Sequence, residues 1–357
     1  FPNDIYLQDK GFDLQYHTGR GEQPIRNGVI LYPLVQRYAI TGDENALDLA
    51  IGYANFLLGP SRYFSYNMEY YGHVHSALWV ASGLVMLGRV INDPFYTQKG
   101  KEIYDYTRSM TSDFGWVPEY AKWKPMNEEN CETCCIKDLI ECTHELILAG
   151  YSEYWKDLNS FVRNQLVENQ VISTGYVVTD DTKEDDKAAG LTYKFLNKRM
   201  IGGFSGGTLP NSMSLTRFRS IAGCCAGFAP IGLWRAWKVS IGETEDRITV
   251  NIPLNKEVEK AYVRSFYPNE GAVEVIATAD TEVAFRYYDW MGAVDDIRIL
   301  INGETVKATK MTMGTGGTAG TYYGYGGVLG QYIKNKAGIE VTVVSTDGSK
   351  ANIQGIA

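Results

Sequence analysis

No apolar run in this 357-residue chain approaches the roughly 20 residues that a bilayer-spanning helix needs, so no membrane partner is expected. Basic residues are also in short supply: 34 Lys and Arg stand against 42 Asp and Glu, a formal net charge of -8. That balance argues against nucleic acid and against polyanionic polysaccharides, which are recognised through dense cationic patches. Cysteines number only six, and a chain this long needs no disulfide staples. The chain opens at Phe-Pro rather than Met and carries no signal peptide. It is therefore expected to be trimmed, and its compartment stays open between periplasmic or secreted and cytoplasmic.

What is present is ordinary in bulk. Hydrophobic residues at 45% and charged residues at 21% suit a soluble globular protein with room for two or three domains. The 25 Tyr and 7 Trp could stack on sugar faces or simply pack.

The first two-thirds has helical periodicity. PIRNGVILYPLVQRYAI stops at Thr41-Gly42 and ALDLAIGYANFLL follows. HSALWVASGLVMLGRVI breaks at Asn92-Asp93-Pro94, and CIKDLIECTHELILAG breaks at Gly150, each before another helical run. Breaks roughly fifty residues apart indicate a repeated helical hairpin, closing into a solenoid or an (α/α) toroid. Beyond Gly242 come RITVNIPL, KAYVRSFY, AVEVIATA, EVAFRYYDW, IRILING and IEVTVVS, short β-rich runs with Asn-Gly, Pro-Asn and Asp-Gly turns. The expected architecture is α+β and multidomain: a helical toroid over residues 1–241 and a β-sandwich over 242–357. About seven substantial helices are legible where six hairpins need twelve, so either the amino-terminal hairpins of the toroid are missing, the favoured expectation, or the domain is a smaller helical array.

The thiols gather in CETCC at 131–135 and GCC at 223–225, with Cys142 apart. Ile136, Leu139, Ile140, Thr143, Leu146 and Ile147 form a stripe at helical spacing, and Cys135 and Cys142 lie beside it as buried packing. Cys134 shares a face with Asp138, Glu141 and Glu145, away from the expected core side, at a helix start where the macrodipole favours a thiolate. Three readings stay open. The first is a disulfide, from Cys131 to Cys134 or between the patches. The second is a C-x-x-C redox pair, which lacks its usual βαβ context. The third is zinc, held by soft thiolates and the Glu132 carboxylate.

Glu132-Thr133-Cys134, then Gly223-Cys224-Cys225-Ala226-Gly227 at a helix start, then β-rich runs, resembles glycoside hydrolase family 127, the β-L-arabinofuranosidase group. The run VAFRYYDWMGAVDDIRILING is similar to that family's sandwich strands, and the likeness covers roughly residues 25 to 305. The resemblance implies an (α/α)6 toroid and a zinc ion held by Glu132, Cys134, Cys224 and Cys225, with Cys224 as nucleophile. It implies retaining hydrolysis of terminal β-L-arabinofuranosyl or similar residues from plant-type glycans. A thiolate attacking the anomeric carbon gives a thioglycosyl-enzyme that water then hydrolyses.

The family's acid/base glutamate precedes E-T-C, where this chain offers Glu119, Glu128 and Glu129. Glu119 sits among Trp116, Val117, Pro118 and Tyr120, neighbours that would raise its pKa as a general acid requires. Glu128 and Glu129 lie in a polar run and read as a solvated loop. The family's sugar-binding histidines at inner-helix starts correspond to His75 and His73 in YYGHVHSALW. His17, in QYHTGRGEQ, could line the pocket, and His144 reads as structural. The chain departs from the family after Cys225, where it continues AGFAP, and in its few histidines, so the metal set is better matched than the sugar pocket.

The expected partner is thus an oligo- or polysaccharide, with a homodimer left open. Two other functions compete. A carbohydrate-binding or scaffold protein would use the zinc structurally, with a closed site. A polysaccharide lyase would need cationic residues against a uronate, and the acidic balance counts against it.

Overall fold

The computed structural model describes residues 27–61, 63–122, 130–175, 180–209, 212–213, 223–292, 296–306, 310–314 and 340–344, with isolated positions 328, 329, 331 and 335. Two compact units divide the chain: Phe1–Glu145 with Asp157–Ala236, and Leu146–Lys156 with Trp237–Ala357.

Helices dominate the first unit. The described helices are α1 (Leu31–Thr41), α2 (Glu44–Leu58), α3 (Val74–Val90), α4 (Pro94–Ser109), α5 (Thr133–Leu148), α6 (Trp155–Arg163), the short α7 (Gln165–Glu168) and α8 (Leu196–Met200), and α9 (Gly223–Ser240), with one end of α5, α6 and α9 counted in the second unit. Seven of these have nine or more residues among the described positions. The hairpin breaks follow local rules. Gly42 ends α1 in the left-handed region at φ 70°, and Asp43 caps α2 by accepting from the Asn45 backbone N–H. Asp93 caps α4 in the same way, with Pro94 at the first helical position.

Helix α3 is largely enclosed. From Val74 to Gly88 every residue is buried except His75 and Trp79. Leu78, Leu84 and Leu87 on α3 and Ile103 on α4 have no exposed surface. Each contributes about 1.5–3 kcal/mol by leaving water. The two helices pack closely because Gly100 has no side chain: a Cβ there would stand 2.6 Å from the Ala81 carbonyl oxygen.

Five short strands lie around the site. β1 (Gly72–His73) pairs antiparallel with β2 (Tyr120–Ala121), setting His73 opposite Tyr120. β3 (Cys131–Glu132) pairs with β4 (Gly207–Leu209), which pairs with β5 (Ser212–Met213).

The second unit contains β6 (Ile241–Glu243), β7 (Arg247–Val250), β8 (Lys256–Val258), β9 (Ala261–Ser265), β10 (Val273–Ala277), β11 (Glu282–Phe285), β12 (Ile299–Ile301), β13 (Glu304–Val306), β14 (Lys310–Gly314) and β15 (Glu340–Val344). Among the described residues, the strands expected as one β-sandwich form sheets of two or three strands each. Alternation fixes which residues form strands but not which strands pair, and β7 takes β11 as a parallel partner beside its antiparallel neighbour β6. Ile241, Ile248, Val250, Ala261 and Val263 form the apolar core of this unit. No described helix is long and apolar enough to cross a membrane.

Candidate functional site

A strand-to-helix junction places half of the site. β3 ends at Glu132 and α5 begins at Thr133. The Thr133 hydroxyl donates to the Ser205 carbonyl at 2.6 Å and accepts from the Asn169 amide at 2.8 Å. Gly207 lets the two strands approach, since a Cβ there would meet the Cys131 carbonyl oxygen at 3.0 Å. The other half comes from the first turn of α9, which carries Cys224 and Cys225.

Glu132, Cys134, Cys224 and Cys225 converge, with one ligand atom of each within 4.8 Å of all the others. The Cys134 and Cys225 sulfurs are 3.2 Å apart, those of Cys224 and Cys225 3.8 Å, and Cys225 Sγ lies 3.7 Å from Glu132 Oε1. Zinc–sulfur bonds of about 2.3 Å in a tetrahedron separate sulfurs by roughly 3.8 Å, which the Cys224–Cys225 pair matches and the closer Cys134–Cys225 pair would reach by moving apart a little. Three soft sulfurs and one carboxylate form a set able to hold a metal ion. Glu132, Cys134 and Cys225 are buried, whereas Cys224 is exposed.

Charge within the cluster is shared. The contact with Cys225, then burial and the Glu132 charge, push the Cys134 thiol up, and the same contact pulls Cys225 down. Burial and the neighbouring Cys225 raise Cys224. Burial opposes the Glu132 charge, but the hydrogen bond and charge of His73 outweigh it and hold the carboxyl below its ordinary value. Four potential anions this close require protons or a cation among them.

All six cysteines are free thiols, so neither disulfide drawn from the sequence is formed. Cys131 accepts from the Val117 N–H at 3.4 Å and takes no part in the cluster. Cys135 and Cys142 are fully buried.

The Cys134 face of α5 needs correction. It was expected off the core side, yet Cys134, Asp138, Glu141 and Glu145 are all buried. The charges are tolerated because partners converge on them. Lys137 Nζ lies 3.0 Å from both Asp138 and Glu141, Arg235 reaches Glu141 at 2.8 Å, and Arg89 reaches Glu145 at 2.9 Å.

His73 Nε2 lies 3.1 Å from Glu132 Oε2. His75 hydrogen-bonds Asp138 through Nδ1; burial would lower its pKa, but the Asp138 charge and hydrogen bond raise it above the ordinary value. Glu119 is 5% exposed and immediately precedes β2. Its backbone carbonyl accepts from the Val74 N–H at 3.0 Å, and its carboxylate accepts from the Asn130 amide at 3.3 Å. After burial and Glu132, its charge adds to the upward push on the Cys131 thiol. His17, Glu128 and Glu129 lie outside the described residues. Sequence reasoning did not single out Trp79 or Phe228, although each stands four positions from a residue it had, and it placed Asp138 only on the Cys134 face.

No family model and no curated protein matches this sequence. Solved structures do. A GH127 β-arabinofuranosidase, BT3674, superposes with a TM-score of 0.52 at 17% identity, over 78% of this chain and 47% of its own. A GH127 β-L-arabinofuranosidase from Geobacillus stearothermophilus T6 gives 0.47 at 16% identity, over 85% and 53%. A GH76 α-mannanase from Bacteroides thetaiotaomicron gives 0.42 at 13% identity, over 60% and 56%. The chain spans about half the length of the two arabinofuranosidase chains. The likeness to the first is one of fold: over the matched part, this is a GH127-like, helix-rich fold.

Proposed function

We propose that this chain carries the centre of a retaining glycoside hydrolase of the β-L-arabinofuranosidase kind, built on an (α/α) toroid, with zinc at the Glu132, Cys134, Cys224 and Cys225 cluster. The observation that carries the reading is the convergence of these four ligands with Cys224 alone exposed. A buried set would suit a structural metal; an exposed thiol at its edge can meet a substrate. Bound there, zinc would keep the thiols ionised at neutral pH.

Cys224 is the nucleophile in this scheme. Its sulfur attacks the anomeric carbon as the bond to the leaving oxygen breaks, and Glu119 gives that oxygen a proton. The sugar is then held on Cys224 through a C–S bond. Glu119, now a carboxylate, takes a proton from water, which displaces the thiolate with net retention. His73 keeps Glu132 in place, and His75 addresses the sugar hydroxyls. The substrate is a terminal β-L-arabinofuranosyl or similar residue.

Metal analysis of the purified chain, paired with turnover of p-nitrophenyl β-L-arabinofuranoside and related aryl glycosides, tests the reading. About one zinc per chain and turnover with retained configuration are expected. Zinc without turnover of any glycoside would make the metal structural and sink the enzyme.

A further inference from the structure

Trp79 and Phe228 stand beside the cysteine cluster and hold no metal. Phe228 is one helical turn beyond Cys224 on α9, and Trp79 one turn beyond His75 on α3, so each shares a face with a residue of the proposed centre. His75 and Trp79 are the two positions between Val74 and Gly88 that are not buried. Before its last two residues, Arg89 and Val90, the helix is therefore open only at that face, and Phe228 on α9 is likewise only partly buried.

The three rings form a corner. Trp79 and Phe228 meet nearly perpendicular, with centroids 5.5 Å apart and planes at 79°, and the His75 ring lies 5.0 Å and 5.7 Å from them. The corner is fixed from behind. The Trp79 indole N–H donates to Asp138 Oδ1 at 2.7 Å, and that carboxylate is fully buried. The Lys137 ammonium lies 5.3 Å and 5.0 Å from the Trp79 and Phe228 centroids, occupying one side of both. Rings locked in this way lose little freedom when a ligand arrives.

We infer that Trp79 and Phe228 form a ring-stacking subsite, which holds the C–H face of a neutral pentose or hexose residue next to Cys224. Sugars present an apolar face ringed by hydroxyls, which suits an aromatic wall with a histidine at its side. The charge pattern selects against uronates. Glu132 brings a carboxylate to the centre, and the Lys137 ammonium beside the rings is buried and already paired with Asp138 and Glu141. The inference rests on the glycosidase reading for its substrate class, but it is tested by binding alone.

The experiment uses the full, metal-loaded chain, parent and Cys224→Ser, with methyl glycosides of L-arabinose, D-galactose and D-glucuronic acid as probes. Binding is read by saturation-transfer NMR and by the tryptophan fluorescence change. A neutral glycoside is expected to bind and the glucuronide not to. Trp79→Ala and Phe228→Ala should each weaken binding by about tenfold or more, while Trp79→Phe keeps most of it. Zinc content and melting temperature check each variant; Phe228, only partly buried, tests the idea even if Trp79→Ala fails to fold. Hydrolysis by the parent with binding unchanged in both alanine variants overturns the subsite and leaves the glycosidase reading standing. Binding through the rings without hydrolysis does the reverse, and no binding of any glycoside ends both.

Discussion

His73 Nε2 stands 3.1 Å from Glu132 Oε2 while His73 Nδ1 stands 2.9 Å from the Ser76 hydroxyl, so the ring is held at both nitrogens. Residues that orient a metal's ligands typically change its affinity 10- to 100-fold when removed. His73→Ala should therefore lower zinc affinity by about that factor in competition with a chromogenic chelator, and His73→Gln should restore part of it. Unchanged affinity in His73→Ala would show that Glu132 needs no such support.

Cys224→Ser should abolish turnover, because it removes the proposed nucleophile. Cys142→Ser should leave turnover within a few-fold of the parent, since Cys142 is fully buried and outside the cluster. Melting curves recorded beside the rates separate chemistry from packing. Equal losses of rate and stability in both variants would assign Cys224 a structural role.

Glu119→Gln should separate substrates by leaving group. Protonation by a positioned acid contributes roughly 100- to 10,000-fold, and an aryl leaving group needs little of it. The variant should lose orders of magnitude on a disaccharide and much less in the first step of an aryl glycoside, with azide restoring turnover. Glu128→Gln and Glu129→Gln serve as comparisons expected to behave like the parent. If Glu119→Gln behaves like them too, the acid lies elsewhere.

The two halves of this site were unequally legible in the sequence. The cysteines could be seen because they gather in two short patterns, and the resemblance carried by those patterns joined Glu132 to them. Trp79 and Phe228 were visible only as helical aromatics, since spacing places a side chain on a face without saying whether that face is covered. The burial of α5 was illegible for a related reason. Asp138, Glu141 and Glu145 look like a solvated stripe until Arg89, on α3, reaches Glu145, Arg235, on α9, reaches Glu141, and Trp79 donates to Asp138. In the second unit, alternation marked strands, but pairing such as β7 with β11 depends on contacts that local pattern does not encode.

The α5 ion network should make the protein acid-sensitive in a defined window. Burial alone would raise the Glu145 carboxyl, but the His144 ring, the Arg89 guanidinium at 2.9 Å and the Tyr32 hydroxyl at 2.7 Å outweigh it, lowering the group from 4.5 to about 2. A carboxyl depressed by folding contributes stability above its unfolded pKa and loses it as pH falls through the folded one. Glu145 should thus contribute on the order of 3 kcal/mol near neutrality, declining between pH 4.5 and about 2. Denaturant titrations of the parent and Glu145→Gln should converge across that window. A constant difference between them down to pH 2 would remove Glu145 as the cause.

Gly100→Ala probes the packing of α3 on α4. The added methyl would press on the Ala81 carbonyl at 2.6 Å and on Val85 at the same distance. Overpacking of this kind costs about 1–3 kcal/mol, more than the gain in helix propensity. A melting temperature equal to or above the parent's would show that the two helices can move apart freely.

One thiol of six meets solvent. In the folded chain an alkylating reagent therefore has a single address, Cys224, whereas the denatured chain offers six. The protein carries a built-in stoichiometric tag at the residue assigned to catalysis. A fluorophore or mass label placed there would count intact sites one by one, independently of turnover.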